Sequence, residues 1–411
     1  MIKLLKSRIE KRILKGSAEK DRIKTLSMDQ FLVLLSVIYG FIVKIRIRLY
    51  RKKILKIRKL SCPVISIGNI VAGGSGKTPM AIYLAQAVKK MGLKPVVLSR
   101  GYRGSMENRT GIAGDGKAAL LGPDKAGDEP HMMAKRGSFP VVVGKDRFKS
   151  GITAVNAFNP DLIILDDGFQ HVQLHRDLNI LLLDCEAPLG NGRLLPAGRL
   201  RENPDEIEKR ADLIIFTRCP CRQNRQSRKS NKIQMMADET GAFDSSTISH
   251  SVRSSKDYEK INAMGKPCFN SCHKPFLYFF KAYENSAMIQ NNELTLDSLK
   301  GKTAFLFSGI ADNGAFKETV EESGIKVIEH LEFMDHYRYR ITDIKKITGK
   351  GKNSGADIMV TTEKDYARFC YDIDWGMDLA VIGINIHWDV SGEKDGAEFF
   401  SWIKKWTAGS I

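Results

Sequence analysis

The sequence predicts an α/β protein: a phosphate-loop domain on a parallel sheet with helices on both faces, a second smaller α/β lobe, and an N-terminal helix lying in a membrane interface. Three observations carry this reading. From Pro63 onward, short β-branched runs alternate with helical stretches, and strands that alternate with helices pair in parallel and need cover on both faces. A glycine-rich turn joins the first of these runs to an amphipathic stretch. Most of the chain's excess positive charge sits at one end, around an apolar run.

The N-terminal element follows from that charge. Of the net charge of +18 over 411 residues, residues 1–60 hold +14, with 18 Lys and Arg against Glu10, Glu19, Asp21 and Asp29. The rest of the chain is nearly balanced and long enough for two domains with full cores. A concentrated basic end selects a polyanionic partner, nucleic acid or anionic lipid. Residues 1–27 place Ile2, Leu5, Ile9 and Ile13 at helical spacing among cations. Residues 31–43 form a mostly apolar run of 13 residues, shorter than the about 20 that a spanning helix needs. Ile47, Tyr50, Ile54 and Ile57 then mark one stripe of a basic segment. A core helix with solvated arms fits these residues. A helix in the interface, with its apolar face in the acyl boundary and its cations on phosphates, fits them better. Tracking a nucleic-acid backbone does not require the apolar run, so no nucleic-acid partner is expected.

The parallel sheet is expected from the runs 63–67, 95–99, 140–143, 161–166, 178–184 and 212–217. A second series at 304–307, 326–329, 357–361 and 379–386 forms the second lobe. Residues 219–300 are less regular, and the basic, polar stretch 222–232 reads as a surface loop or linker. The expected divisions are therefore a basic membrane-associating segment at 1–60, a nucleotide-binding domain at 61–218, an irregular insertion at 219–300, and a lobe at 301–411 that completes the site. Seven scattered cysteines and no evident secretory signal point to a reducing compartment. Cys219 and Cys221 with Cys268, Cys272 and His273 leave a zinc site open beside free thiols, although the spacing fits no common zinc module.

The glycine-rich turn carries the first chemistry. Gly73, Gly74, Ser75 and Gly76 run into Lys77 and Thr78, then into a helix with Ala81, Leu84, Val88 and Met91 on one face and Gly92 as its stop. Glycines let backbone amides approach a phosphate chain, and a helix N-terminus adds partial positive charge. Lys77 would neutralise the β- and γ-phosphates of ATP, and the Thr78 hydroxyl would ligate Mg2+. The common spacing puts a further glycine at position 71, where this chain has Val71. A guanine-binding element is not matched, because the lysine of Thr362-Glu-Lys-Asp365 falls one position late.

An apolar strand ends in Asp166 and Asp167, followed by Gly168-Phe-Gln170. Carboxyl ends of strands line the ligand crevice of an open parallel sheet. The two acids suit magnesium, and a strand-end turn explains them as well. Asp128, in Gly127-Asp-Glu-Pro130, reads by its residues as a helix cap, and His336 beside Asp335 as a structural histidine.

Taken in order, these motifs resemble the tetraacyldisaccharide 4'-kinases, which phosphorylate a lipid A precursor at the inner face of the bacterial inner membrane. The resemblance spans roughly residues 28–411. It rests on Val64-Ile-Ser-Ile-Gly-Asn-Ile70 with Gly73-Gly-Ser-Gly-Lys-Thr-Pro79, Ser99-Arg-Gly-Tyr-Arg-Gly104, Gly127-Asp-Glu-Pro130 and Asp166-Asp-Gly-Phe-Gln-His171. Gly192-Arg-Leu-Leu-Pro-Ala-Gly198, Leu200-Arg-Glu202, Phe307-Ser-Gly-Ile310, Asp335-His336 and Thr362-Glu-Lys-Asp365 extend it. The irregular loop at Val71 is itself a trait of that family. The resemblance implies that Asp128 and His336 act as a pair that deprotonates the sugar 4'-hydroxyl. It implies that Asp166, Asp167 and Glu202 surround the metal and nucleotide, and that Arg147, Gln170 and Arg201 are polar site residues. It implies ATP and Mg2+ as cofactors, an acylated disaccharide lipid as substrate, an anionic membrane surface, no obligate protein partner, and a peripheral or monotopic place on the cytoplasmic face. Arg199 departs from the family's usual proline, Ala311-Asp-Asn-Gly314 replaces a proline-containing turn, residues 1–27 extend beyond the common start, and 219–300 match poorly.

Overall fold

The computed structural model describes residues 28–219, 261, 264, 266–280, 296–369, 373–388 and 394–410. Its elements begin with α1 (Met28–Arg51), β1 (Val64–Gly68), α2 (Lys77–Lys90), β2 (Pro95–Ser99), β3 (Gly111–Asp115), α3 (Pro123–Ala126), α4 (Asp128–Arg136), β4 (Pro140–Val143) and α5 (Arg147–Phe158). They continue with β5 (Leu162–Asp166), β6 (Leu178–Asp184), α6 (Asp205–Arg210), β7 (Leu213–Thr217), β8 (Cys268–Asn270) and β9 (Cys272–Phe280). The last are β10 (Thr303–Ser308), α7 (Asn313–Glu322), β11 (Lys326–Glu332), α8 (Ile341–Asn353), β12 (Ile358–Thr362), α9 (Glu363–Tyr366), β13 (Leu379–His387) and α10 (Lys394–Ser410). They form two compact units. The first takes its described residues from Met1–Lys77, Leu165–Cys272 and His387–Ile411, the second from Thr78–Ile164 and His273–Ile386.

In the first unit β1 pairs parallel with β6, β6 with β7, and β7 with β8. Every residue of β1 and β7 is buried, the near-continuous apolar pattern of parallel strands covered on both faces. Ile70, Phe169, Leu181, Leu183, Ile207, Ile214 and Phe216 form a core against these strands.

Helix α1 belongs to this unit and corrects the sequence expectation of a short apolar segment. It runs for 24 residues, past the apolar run and through Lys44, Arg46 and Arg48. Its most apolar stretch has a mean hydropathy of 1.8, so by length and composition it could cross a membrane. The first cation ends the apolar run but not the helix, because lysine and arginine are good helix formers. One side of α1 is docked on the unit. Ser36 Oγ donates to Leu194 O at 2.9 Å and accepts from Ala197 N at 2.9 Å, and Tyr39 Oη donates to Arg201 O at 2.8 Å. Leu32, Ile47 and Tyr50 are buried, and Arg51 pairs with Glu206 at 2.6 Å. Phe31, Leu34, Val37, Ile38, Phe41 and Ile42 on the remaining surface are exposed.

In the second unit β2 and β4 pair parallel, and β3 lies antiparallel on β4. A second sheet has the order β11-β10-β12-β13-β9, with its first four strands parallel. Alternate residues face opposite sides of this sheet. Ala304, Leu306, Ile358, Val360, Ala380 and Ile382 pack in one core, and Phe305, Phe307, Met359, Leu379 and Val381 in another. Two features differ from expectation. The antiparallel β3, Gly-Ile-Ala-Gly-Asp, has one β-branched residue and two glycines, too little β propensity to be read from sequence. Strands β8 and β9 fall inside the stretch 219–300 expected to be irregular, where ladder pairing supplies what the local pattern does not. The amphipathic stretch in 1–27 and the basic loop at 222–232 lie outside the described residues.

Candidate active site

The phosphate loop leaves β1 at Gly68 and enters α2 at Lys77, all within the first unit. Its ascending arm pairs with residues after the Gly192–Gly198 motif. Arg201 N donates to Ile70 O at 2.7 Å, Ala72 N donates to Arg199 O at 2.6 Å, and Val71 bridges Leu200. Val71, where the common pattern has glycine, is thus part of a short ladder. Gly73 has φ +126, and a Cβ there would run into the Arg199 guanidinium, so glycine is required by conformation and by space. Arg199, the departure from the family's proline, donates from Nε to Ala72 O at 2.9 Å.

Asn69 organises the loop, a role the sequence did not signal. Its amide donates to Val71 O at 2.5 Å and to Ser75 Oγ at 2.7 Å. Thr217 Oγ1, at the end of β7, donates to Ser75 O at 3.1 Å. Lys77 Nζ is loosely held, 3.4 Å from both Asn69 Oδ1 and Gly73 O and 3.9 Å from Asp167.

The acids stand beside this loop. Asp166 is buried at the end of β5. Asp167 adopts the left-handed conformation, φ 53, which costs a non-glycine residue about 1–3 kcal/mol. Both its oxygens lie 3.0 Å from Arg201 NH1. Gln170 donates to Asn69 O at 2.7 Å and to Glu202 Oε1 at 2.8 Å, and Arg201 donates to Gln170 Oε1 at 3.2 Å. Arg210 holds Glu202 Oε2 at 2.6 Å. Five of the expected residues, Lys77, Asp167, Gln170, Arg201 and Glu202, are therefore brought into one network.

The second unit holds the other group. Asp128 opens α4 after Gly127, whose φ is +88 and whose Cβ would lie 2.8 Å from Tyr102 O. The Ser99–Gly104 motif thus packs its backbone against the start of α4. Gly127 rather than Asp128 occupies the N-cap position of α4, and Asp128 is the first residue inside the helix, which corrects the helix-cap reading of Asp128. Its Oδ2 instead accepts from His336 Nδ1 at 3.2 Å and from Arg368 Nε at 2.9 Å. Among the described residues, Oδ1 carries no hydrogen bond. Burial pushes the Asp128 carboxyl up, but the His336 hydrogen bond and the Arg368 charge together hold it below the usual carboxylate range. His336 is likewise left-handed, φ 57, and its ring stands edge-on to Tyr102 at 5.8 Å.

Thr78 is also in this unit, and its hydroxyl donates to Glu129 Oε2 at 3.3 Å. Glu129, paired with Lys364 at 3.0 Å, was not singled out by sequence reasoning. Its place in Gly-Asp-Glu-Pro beside Asp128 is the only signal that could have found it. Arg147 is buried at the start of α5 and donates to Gly144 O at 2.5 Å.

Magnesium takes oxygen donors, commonly one or two carboxylates completed by substrate phosphates and water. Asp166 and the Thr78 hydroxyl are donors of that kind, while Asp167 and Glu202 already have arginine partners. Among the described residues no group of three or more His, Cys, Asp or Glu could hold a metal ion. Cys219 and Cys268 of the open zinc reading are in no disulfide among the described residues, and Cys221 lies outside them.

The model of the tetraacyldisaccharide-1-P 4'-kinase family matches residues 28–397. A tetraacyldisaccharide 4'-kinase of Desulfatibacillum aliphaticivorans is 38% identical over 361 residues, covering 87% of this chain and 88% of the relative. That of Geobacter metallireducens is 37% identical, covering 81% and 86%. Among solved structures, LpxK from Aquifex aeolicus in complex with ATP is 30% identical, with a TM-score of 0.64 over 92% of this chain and 99% of its own.

The lowered pKa of Asp128 predicts a pH dependence. A carboxyl more acidic folded than unfolded adds stability above its unfolded pKa, about 4, and loses it as pH falls through the folded value. In denaturant titrations, the stability gap between wild type and Asp128→Asn should therefore be widest near neutrality and close below about pH 4. A gap that widens in acid would contradict the assignment.

Proposed function

The chain belongs to the tetraacyldisaccharide-1-P 4'-kinase family, and from that membership we propose that it transfers the γ-phosphoryl group of ATP to the 4'-hydroxyl of a tetraacyldisaccharide 1-phosphate, the acylated lipid A precursor, at the cytoplasmic face of a bacterial inner membrane. Kinase activity with ATP is the family's own. The substrate detail, the residue roles and the membrane setting are our reading.

The observation that carries it is the asymmetry of Asp128. Two donors converge on Oδ2 and leave Oδ1 to accept a proton. The substrate hydroxyl attacks the γ-phosphorus, the bond to the ADP oxygen breaks, and the hydroxyl proton passes to Oδ1. A carboxylate of lowered pKa is a weak base toward a sugar hydroxyl at rest. In a loose transition state the proton leaves late, when the oxygen is already bonding to phosphorus and has become acidic. Asp128 therefore acts chiefly by position, and His336 holds it there.

Lys77 and the amides of Gly73, Gly74, Ser75 and Gly76 bind the β- and γ-phosphates. Arg201, Gln170 and Arg147 add polar groups for the nucleotide and transferring phosphoryl group. The family resemblance assigns Thr78, Asp166, Asp167 and Glu202 to Mg2+, which would neutralise the phosphate oxygens. Residues 61–218 supply the nucleotide machinery, and 301–411 supply His336.

The exposed apolar surface of α1, with Lys44, Arg46 and Arg48 along it, suits the interface of an anionic bilayer. The contacts from Ser36 to Arg51 support lying over spanning, because a helix docked along its length cannot be wrapped in lipid at the same time. Membrane attachment suits a substrate that does not leave the bilayer. The reading needs neither nucleic acid nor an obligate protein partner.

The direct test is incubation with ATP, Mg2+ and a tetraacylated diglucosamine 1-phosphate in detergent, with product sought by mass. Wild type should add one phosphate, and Lys77→Ala should turn over about 10²–10⁴ times more slowly. Full turnover by a folded Lys77→Ala would exclude this loop as the phosphate site. Asp128→Asn and His336→Ala should each lose most turnover while binding ATP. Their double variant should be little worse than the worse single one, and fully multiplicative losses would separate the pair. For the membrane, Leu34→Asp with Ile38→Asp should reduce flotation with anionic liposomes and leave ATP binding intact. High salt should release wild type only in part, since apolar burial is not screened. Equal flotation of the double variant would sink the interfacial reading.

A further inference from the structure

Two motifs of the second unit, Phe307-Ser-Gly-Ile310 and Thr362-Glu-Lys-Asp365, have no part in the transfer described above. The structure gives both the same neighbour. Asp365 is fully buried. Its Oδ1 accepts from Gly309 N at 3.0 Å, Tyr339 Oη at 2.9 Å and Arg368 NH1 at 2.6 Å, and its Oδ2 accepts from the Thr362 hydroxyl at 2.6 Å. Arg368 NH1 also donates to Gly309 O at 2.8 Å, and its side chain is 3% exposed. One end of the guanidinium is thus fastened by both motifs, while Nε reaches Asp128 Oδ2 at 2.9 Å. Burying this many charged groups is expensive unless each is paired, and packing for its own sake would be served as well by apolar side chains.

The geometry shows what the arrangement does. A carboxylate held by one histidine can rotate and exchange its two oxygens, because this terminal torsion is broad. Arg368 and His336 approach the same oxygen from different elements, and Arg368 cannot follow a rotation. We propose that Arg368, anchored by Asp365 and Gly309, is the positioning residue of the catalytic base: it fixes which oxygen of Asp128 accepts the proton. The inference rests on the reading of Asp128 as the base.

Several charged groups bear on Asp128. His336 comes from the turn after β11, Arg368 from the segment after α9, and His131 from α4 itself. Arg103, donating to His336 O at 3.0 Å, and Asp335, 3.9 Å from His336 Nε2, act through the histidine. Glu129 is paired with Lys364 at 3.0 Å, Arg136 lies 3.4 Å from Glu363, and Asp124 of α3 acts on His131. Of these, Arg368 and His336 are the groups that lower the Asp128 pKa. Burial, and then Asp365, push the Tyr339 hydroxyl far above its ordinary range, so it remains a donor that holds Asp365 in place.

The test is steady-state kinetics of the full-length enzyme in detergent with Arg368→Gln, Arg368→Lys and Asp365→Asn, checked for folding by thermal melts and ATP binding. Arg368→Gln should lower kcat by about 10²-fold, the scale of a misplaced catalytic group, with ATP affinity unchanged. The acid limb of its kcat/KM profile should move to higher pH, because a cation beside Asp128 is gone. Arg368→Lys should restore the acid limb but not kcat, since one ammonium cannot reproduce the fork that spans Gly309, Asp365 and Asp128. Asp365→Asn should lower kcat with Arg368 still present. Where Arg368→Gln does not fold, Arg368→Lys decides: lowered kcat with an unmoved limb supports the proposal, and wild-type kcat overturns it. The proposal also falls if folded Arg368→Gln keeps wild-type kcat, or loses kcat with no movement of the limb. Asp128→Asn in the same assay separates the two readings. If it turns over normally, the base assignment fails. If it is inactive while Arg368→Gln is normal, only the role of Arg368 fails.

Discussion

A ladder of three residues governs the first unit. Ile70, Val71 and Ala72 pair with Arg199, Leu200 and Arg201, and this pairing sets where the phosphate loop rises from β1. The same short strand presents Arg201 to Asp167 and Gln170, and passes directly into Glu202. The carbonyl of Arg201 also receives α1, through the hydroxyl of Tyr39. Loop geometry, charge balance and the docking of the N-terminal helix thus depend on one piece of backbone. A main-chain ladder is insensitive to side-chain identity, which is how an arginine at position 199 and a valine at 71 can both be accommodated.

The second unit solves a different problem. It must keep a carboxylate charged, half-buried and oriented, although burial opposes the charge. Two cationic or hydrogen-bonding groups from distant parts of the chain offset that penalty. The left-handed backbone at His336 adds a local cost of about 1–3 kcal/mol. Two apolar layers on alternate faces of the second sheet supply the surrounding stability.

Local chemistry was legible, and tertiary chemistry was not. Strands 95–99, 140–143 and 178–184 fall where their β-branched runs begin and end. The phosphate loop was visible because glycines, lysine and threonine act there through adjacent backbone. Asp128 looked like a helix cap because its partners lie 208 and 240 residues away, at His336 and Arg368. Only the family resemblance joined it to His336, and nothing in the sequence joined it to Arg368. Asn69 was hidden for the opposite reason: it serves its own loop, and an asparagine after a strand is ordinary turn chemistry. The 13-residue apolar run was judged too short to span, whereas the helix that contains it, α1, is long and apolar enough by length and composition to cross a membrane.

The docking of α1 also has a bearing on how far the nucleotide site stands from lipid. Gly40 is so close to Leu194 that a methyl group there would sit 2.6 Å from the leucine side chain, and Ser36 and Tyr39 bond to Leu194 O and Arg201 O nearby. A peripheral enzyme on a flexible tether samples a range of heights, and its site meets the membrane only part of the time. A helix bolted to the strand that carries Arg201 acts instead as a ruler. With α1 in the interface, the phosphate loop keeps a constant elevation above the headgroups while the whole molecule drifts laterally. On the proposed interfacial reading the search for substrate would then be two-dimensional.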